Sequence, residues 1–128
     1  MAAAGIAAVA MAALRRADAF RLAVEGGSMA PALEPGDWLV VLGAARVGLG
    51  SIVVAEHPDR PGFELVKRVA GLPGDVVEGR TLGPDELWLV GDRAEASTDS
   101  RSFGAVPRAC VRGVVAFRYW PAARFGPV

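Results

Sequence analysis

Two side chains of this sequence have the chemistry of a nucleophile and its general base, Ser28 and Lys67. Of the fourteen basic residues, thirteen are arginine and Lys67 is the only lysine. Arginine stays protonated at any workable pH, whereas a lysine amine can lose its proton when its surroundings are apolar. A sequence that uses arginine wherever a positive charge is sufficient would retain lysine where a proton has to be accepted. Lys67 is therefore a candidate general base, and the alternative is one lysine retained by chance.

Ser28 is a candidate nucleophile because of the residues around it. It follows Gly26 and Gly27, and Pro31 restricts the backbone after it. Glycines allow positive φ and a close approach of another chain. A serine on a stiff, exposed turn can attack a carbonyl carbon while its own backbone amide binds the resulting oxyanion. A Gly-Gly-Ser sequence is also a common turn, so this segment alone does not separate the two interpretations.

Lys67 lies in a segment that predicts a β-strand, Phe63–Ala70. Alternate residues of a strand share a face, so Lys67 falls between Leu65 and Val69 while Arg68 points to the other side. An amine on an apolar face is desolvated, which disfavours its charged form and lowers its pKa. The alternative is a lysine at a strand end whose stem is packed and whose amine reaches water.

A polar segment, Gly91–Gly104, follows the apolar strand predicted at Glu86–Val90. It contains Ser97, whose hydroxyl could orient a lysine amine, and Asp99, whose carboxylate could order nearby arginines. The alternative interpretation is a surface loop with local Asp–Arg pairs, which would stabilise the fold little.

Short apolar runs separated by turn-forming residues predict a mainly β domain. Strands of this length and spacing, with almost no helical periodicity, are typical of a compact barrel. We therefore predict one domain over residues 21–128, after an alanine-rich segment over residues 1–20. The predicted strands are Arg21–Val24, Asp37–Leu42, Ser51–Glu56, Phe63–Ala70, Val76–Glu78, Glu86–Val90 and Val111–Tyr119.

The first fourteen residues carry no charged side chain and predict a short alanine-rich helix. Such a helix would be about 21 Å long, shorter than the roughly 30 Å hydrocarbon core of a bilayer. Arg15 and Arg16 follow the apolar run rather than precede it, which is not the order of a secretory leader. These arginines favour a cytoplasmic location for the rest of the chain, with weak contact at the inner face of the membrane through residues 1–14. An anchor and a cleaved leader are the alternatives.

Composition excludes several classes of function. Basic and acidic residues balance at fourteen each and no basic run is present, which argues against nucleic-acid binding. One histidine and one cysteine cannot form a zinc site of the usual ligands, and no metal or other cofactor is implied. The single cysteine also excludes a disulfide within the chain.

Three segments, in this order, resemble the signal peptidase I family of Ser/Lys endopeptidases. The first is Gly-Ser-Met-x-Pro at Gly27–Pro31, and the second is the Lys-Arg segment with its Pro-Gly-Asp turn at Lys67–Asp75. The third is Gly-Asp followed by Ser-x-Asp-Ser-Arg at Gly91–Arg101, and Phe117–Pro121 is similar to the family's closing strand. The resemblance covers roughly residues 24–121.

The resemblance implies an endopeptidase that removes an N-terminal leader from a client protein. Ser28 would be the nucleophile, with its backbone amide in the oxyanion hole, and Lys67 would accept its proton. Ser97 would hydrogen-bond the lysine amine. The implied fold is a coiled β-sheet barrel, the usual client has small residues just before the cut, and no cofactor takes part.

The resemblance also implies supporting roles and contains two departures. Asp99 would pair with Arg68 and Arg101 and hold the third segment against the catalytic strand. Some family members have a hydroxyl two residues before the nucleophile, where this chain has Gly26. The family's usual Gly-Asp-Asn ends here in Arg93, so the hydrogen bonds of that asparagine side chain are absent.

The size of the chain, Trp38 and the stretch His57–Gly62 are similar to a small subgroup, the maturation proteases that trim the leader from nickel-type superoxide dismutase. Clients of that subgroup are cytoplasmic. A general signal peptidase acting on exported preproteins is one alternative, and a catalytically inactive β-barrel binding module is another. A triad based on His57 is disfavoured because His57 lies in a turn, where we expect an exposed side chain.

Overall fold

The computed structural model of this protein describes residues 18–128, and these residues form a mainly β structure. The predicted fold class is confirmed. The predicted alanine-rich helix over residues 1–14 lies outside the described residues, and the division into segments 1–20 and 21–128 stays a prediction. No helix within residues 18–128 is long and apolar enough to cross a membrane.

One curled antiparallel sheet forms a half-barrel that contains most of the strands. Its strands follow the order β1-β2-β9-β3-β4-β7-β8, and β10 pairs with β9. The remaining two strands, β5 and β6, form a separate hairpin. The strands are β1 Ala19–Ala23, β2 Trp38–Leu42, β3 Ile52–Glu56, β4 Glu64–Gly71, β5 Val76–Val77, β6 Arg80–Thr81, β7 Glu86–Val90, β8 Val106–Pro107, β9 Val111–Trp120 and β10 Gly126–Pro127. One short helix, α1, spans Ser100–Phe103.

Three Pro-Gly pairs build the turns that connect the central strands. Gly36, Gly62 and Gly74 each have φ between 81° and 89°, and each turn is closed by an amide-to-carbonyl hydrogen bond of 3.0 or 3.1 Å across three residues. Proline fixes the second position of such a turn and glycine supplies the positive φ at the third, as a type II turn requires. The Pro-Gly pairs therefore determine where the chain reverses before β2, β4 and β5.

Strand β3 divides the interior into two apolar clusters. Its first four residues are all buried, with Ile52 and Val54 in one cluster and Val53 and Ala55 in the other. The first cluster also contains Met29 and Leu33 from the β1–β2 connection. The second contains Val69 of β4 and Leu89 of β7. A central strand buried on both faces is the reason for the continuous apolar run Ile52–Ala55.

The seven predicted strands all form, within one or two residues at their ends. The prediction that a strand continues to Glu78 was wrong, because Glu78 and Gly79 have φ of 52° and 77° and form the turn of the β5–β6 hairpin. Both positions of such a two-residue turn need positive φ. Strands β6, β8 and β10 and helix α1 were not predicted, because elements of two to four residues have too few positions for a periodicity.

Candidate active site

Ser28 and Lys67 are in direct contact. Lys67 Nζ lies 2.8 Å from Ser28 Oγ, although the two residues are 39 positions apart in the sequence. Lys67 stands in the middle of β4, and Ser28 stands on the β1–β2 connection, residues 24–37, which we call the serine loop. The spacing is that of a hydrogen bond between a nucleophile and its base.

Lys67 is buried on the face that the strand alternation predicted. Only 5% of the residue is exposed, and it lies opposite Val53 of the adjacent strand β3. Desolvation by this burial lowers the pKa of the Lys67 amine below its ordinary value. The negative charge of Asp99 acts in the opposite direction and raises it, and the positive charge of Arg101 lowers it further. The net effect favours the neutral amine that a general base must be.

A second serine orients the Lys67 amine. Lys67 Nζ donates to Ser97 Oγ at 3.1 Å, and the Ser97 hydroxyl donates in turn to Asp99 Oδ2 at 2.6 Å. Because the Ser97 proton is committed to Asp99, Ser97 Oγ can only accept from the amine. In the neutral amine, one N–H therefore points to Ser97, which leaves the lone pair free to face the Ser28 hydroxyl.

Asp99 organises the loop behind the lysine, residues 91–99, which we call the polar loop. It is fully buried and accepts hydrogen bonds from the Gly91 amide at 2.8 Å and from Arg101 Nη2 at 2.6 Å. It is also the N-cap of α1, accepting from the Arg101 amide. Burial alone would raise the pKa of Asp99, but the hydrogen bonds from Arg101, the Gly91 amide and the Ser97 hydroxyl outweigh it and hold the pKa well below its usual range.

The polar loop also contacts the backbone of Ser28. The Arg93 amide donates to the Ser28 carbonyl oxygen at 2.8 Å. A Cβ atom on Gly91 would lie 2.7 Å from that same oxygen and 2.2 Å from Ser97 Oγ, so no other residue fits there without displacing both. Sequence reasoning noted the missing asparagine side chain at position 93 but did not find this backbone contact, which any residue type except proline can make.

Arg68 does not pair with Asp99, and that prediction was wrong. Its guanidinium forms two hydrogen bonds of 2.8 Å with the carboxylate of Asp92 and a third, of 2.9 Å, with the Gly50 carbonyl. The reason is strand alternation: Arg68 points to the face opposite Lys67, whereas Asp99 lies on the lysine side. Of the two arginines predicted to pair with Asp99, only Arg101 does so. The alternation that placed Lys67 would also have excluded the Arg68–Asp99 pair.

The serine loop is held by a buried ionic cluster that the sequence did not predict. Asp37 at the end of the loop is 2% exposed and accepts from Arg118 Nη1 at 3.2 Å and from Arg124 Nη1 at 3.0 Å. Arg118 also donates to the carbonyl oxygen of Ala32 at 2.9 Å, and Arg124 to that of Pro31 at 3.4 Å. The C-terminal segment thus fixes the backbone that follows Ser28.

The backbone amide of Ser28 is available to an oxyanion. Within residues 18–128 it donates to no other group, and Ser28 itself is only half-buried. Gly26, two residues earlier, has φ of 72° and carries no hydroxyl, so the departure noted in the sequence leaves backbone amides as the donors on this loop.

Ser28 and Lys67 line a cavity of about 400 Å³. Its wall comes from the serine loop, from β4, from the turn over residues 57–63, and from Ala96 and Thr98 of the polar loop. This volume lies within the range of ligand-binding pockets, roughly 300–1,000 Å³. Within residues 18–128 no three His, Cys, Asp or Glu side chains are grouped so that they could hold a metal ion.

His57 is not an exposed loop residue, so that expectation was wrong. It is only 9% exposed, because its ring packs 4.5 Å from the ring of Phe103 and 6.2 Å from that of Phe63, measured between centroids. It lines the same cavity as Ser28, yet among the described residues no hydrogen bond joins the two side chains. The geometry supports Lys67 rather than His57 as the group that faces the serine hydroxyl.

Comparisons with known proteins match most of the chain. The family model described as signal peptidase, peptidase S26, matches residues 1–81 and 78–120. Mitochondrial inner membrane protease subunit 1 of Xenopus tropicalis is 39% identical over 117 residues, which cover 80% of this chain and 70% of that protein. The human protein of the same name is 33% identical over 117 residues, covering 79% and 69%. Mitochondrial ATP-independent inner membrane protease subunit 1a of Arabidopsis thaliana is 34% identical over 123 residues, covering 80% and 71%.

Proposed function

This chain belongs to the signal peptidase family of proteases, peptidase S26, and we propose that it is a serine endopeptidase that removes an N-terminal leader with a Ser28–Lys67 dyad. The observation that carries the proposal is the 2.8 Å contact between Ser28 Oγ and the amine of a buried lysine. An exposed lysine in the same place would be protonated at neutral pH and could not accept the serine proton.

In the proposed first step, the neutral Lys67 amine takes the proton of Ser28 Oγ as that oxygen attacks the scissile carbonyl carbon. The carbonyl oxygen becomes an oxyanion, to which the Ser28 amide donates. When the C–N bond breaks, the Lys67 ammonium returns the proton to the leaving amine. Lys67 then takes a proton from water, and the hydroxide attacks the carbonyl carbon of the acyl-enzyme ester. As the ester bond to Ser28 breaks, the Lys67 ammonium returns that proton to Ser28 Oγ, and the acid is released.

The supporting roles follow from the hydrogen bonds of the polar loop. Ser97 orients the Lys67 amine, and the buried carboxylate of Asp99 fixes the direction in which Ser97 donates. Asp99 in turn is held by Arg101, and Arg68 joins Asp92 to β4. None of these supporting groups has to touch the scissile bond.

The dyad is tested by Ser28→Ala and Lys67→Arg. Lys67→Arg keeps the positive charge and most of the side-chain length but offers no neutral amine, so both variants should lose at least about a thousandfold in kcat/KM on a leader peptide. Arg46→Lys, the reverse exchange at an exposed position outside the cavity, serves as the control and should keep its activity. Thermal unfolding of all three checks the fold. Near wild-type cleavage by folded Lys67→Arg would refute the lysine-base assignment.

For the client, the proposal is the leader of nickel-type superoxide dismutase, which also implies a cytoplasmic location. Its support is the sequence of residues 57–62. The relatives, in contrast, are named for the mitochondrial inner membrane, which favours a general leader peptidase as the second candidate. Incubation with a nickel superoxide dismutase precursor and with an exported preprotein separates the two. Cleavage of the exported preprotein alone would exclude the first candidate, and binding without Ser28-dependent cleavage of either would indicate a binding module.

A further inference from the structure

His57 lines the cavity and has an unused hydrogen-bond donor. Its Nδ1 accepts a hydrogen bond of 3.0 Å from the Asp59 amide. In a neutral imidazole one nitrogen is the acceptor and the other carries the proton, so the proton of His57 is on Nε2. Nε2 has no hydrogen-bond partner among residues 18–128. Every fully buried side-chain nitrogen and oxygen of the described residues has a hydrogen-bond partner. Because Nε2 has none, it must be in contact with solvent.

The position of this donor is fixed by packing. The ring of His57 packs against the rings of Phe63 and Phe103, and the residue is nine-tenths buried. Because Nε2–H reaches solvent and not a protein acceptor, it is free to donate to a molecule that enters the cavity, which His57 lines together with Ser28.

Arg60 places a cation on the same wall. Its guanidinium carbon lies 4.1 Å from the centre of the Phe63 ring, so the ring holds the guanidinium in place. Among residues 18–128 the Arg60 side chain forms no ion pair. A guanidinium and an N–H donor that line one cavity can together bind a carboxylate, because the planar guanidinium can donate two parallel hydrogen bonds.

Two carboxylates also line the cavity, and within residues 18–128 neither forms an ion pair with His57 or Arg60. Glu64 is already paired with Arg112. Glu25 is exposed and belongs to the serine loop rather than to the turn over residues 57–63.

We propose that His57 and Arg60 form a subsite that binds the carboxylate of an aspartate or glutamate side chain of the substrate near the cut. This proposal rests on the proposed function, because that function makes the ligand a peptide. The subsite would make the protease select clients by an acidic residue, in addition to any selection of small residues beside the scissile bond.

The test measures peptide binding separately from cleavage. Leader-like peptides carrying one aspartate, at each position from four before to four after the cut, are paired with peptides that carry asparagine there. Calorimetric titration of the Ser28→Ala protein should give, at one position, about tenfold tighter binding of the aspartate peptide, which is the factor that a charge-assisted hydrogen bond supplies. Equal dissociation constants at every position would overturn the proposal.

Variants assign the preference to the two side chains. In the Ser28→Ala background, Arg60→Gln, at an exposed position, should reduce the tenfold preference for aspartate to about twofold or less. Arg46→Gln, outside the cavity, should retain the tenfold preference. His57→Phe keeps an aromatic ring against Phe63 and Phe103 but removes the donor, so it should also reduce the preference for aspartate. His57→Gln retains an N–H donor and should therefore show part of that preference. A preference that persists in Arg60→Gln and His57→Phe would overturn the subsite.

The same peptides given to the wild-type protein test the proposed function independently. If the aspartate preference is present in binding but no peptide is cut, the subsite stands and the protease proposal fails. If a neutral peptide is cut in a Ser28-dependent reaction but no position prefers aspartate, the protease stands and the subsite fails.

Discussion

Two buried aspartates hold the two members of the candidate dyad, and they do so in different ways. Asp99 lies behind Lys67 and binds Arg101, two residues further along the chain. Asp37 closes the serine loop and binds Arg118 and Arg124, which are 81 and 87 residues away. Both carboxylates are at most 2% exposed, and both also accept a backbone amide. Asp99 therefore orders its own loop, whereas Asp37 joins distant parts of the domain.

The difference lies in what each carboxylate reaches. Asp99 contacts the Ser97 hydroxyl, which contacts the Lys67 amine, and its negative charge raises the pKa of Lys67. Asp37 reaches the candidate nucleophile only through the backbone of the serine loop. We therefore expect changes at Asp99 to alter the chemistry and changes at Asp37 to alter stability.

Among changes at the two aspartates, the largest expected effect is the loss of activity in Asp99→Asn. The variant keeps the shape of the side chain but removes its charge and one acceptor, so the Ser97 proton is no longer committed and Ser97 can donate to the amine lone pair. We expect kcat/KM on a leader peptide to fall about a hundredfold, a typical share of general acid–base catalysis. Asp37→Asn, matched in chemistry and burial, should lose less than about tenfold. Equal losses in the two folded variants would remove the distinction.

The order reverses for stability. Asp37→Asn leaves Arg118, whose side chain is 12% exposed, without its carboxylate in a buried place, and breaking a buried pair in this way costs about 3–5 kcal/mol. Arg101, at 37% exposure, can turn to water when Asp99 is replaced, so Asp99→Asn should cost less. Guanidinium chloride unfolding of both variants measures the difference. A greater loss in Asp99→Asn would show that the polar loop, rather than the Asp37 cluster, is the stabilising element.

The two regions also differ in how far the sequence predicts them. Periodicity placed Lys67 on the apolar face of β4, because strand alternation depends on local spacing. Ser97, which is 30 positions from Lys67, and Asp99 were assigned to it by the family resemblance and not by spacing. No local pattern connects Asp37 with Arg118, since that contact exists only after β9 pairs with β2. The burial of His57 escaped prediction for the same reason: the turn over residues 57–63 is local, but Phe103, which covers the ring, is not.

A smaller effect is expected in acid. The pKa of Asp99 in the folded protein lies below its value of about 3.9 in the unfolded chain. Its ionised form therefore contributes stability that is complete above the unfolded value and is lost as the pH falls below about 4 towards the folded pKa. The difference in free energy of unfolding between wild type and Asp99→Asn should therefore decrease by about 2 kcal/mol as the pH falls from 6 to well below 4. Urea unfolding at each pH gives this difference, and a constant difference would contradict the prediction.

The smallest expected effect is a displacement of the pH–rate profile. As the pH rises, kcat/KM should rise with the fraction of neutral Lys67, and burial already moves this rise below the ordinary range of a lysine. Because the charge of Asp99 raises the pKa of Lys67, its removal in Asp99→Asn should move the rise to still lower pH, even though the maximal rate is reduced. Asp37→Asn should leave the midpoint where it is in the wild type. A shift in Asp37→Asn equal to that in Asp99→Asn would mean that both aspartates act on the lysine by the same route, and the separation between a chemical and a structural carboxylate would no longer hold.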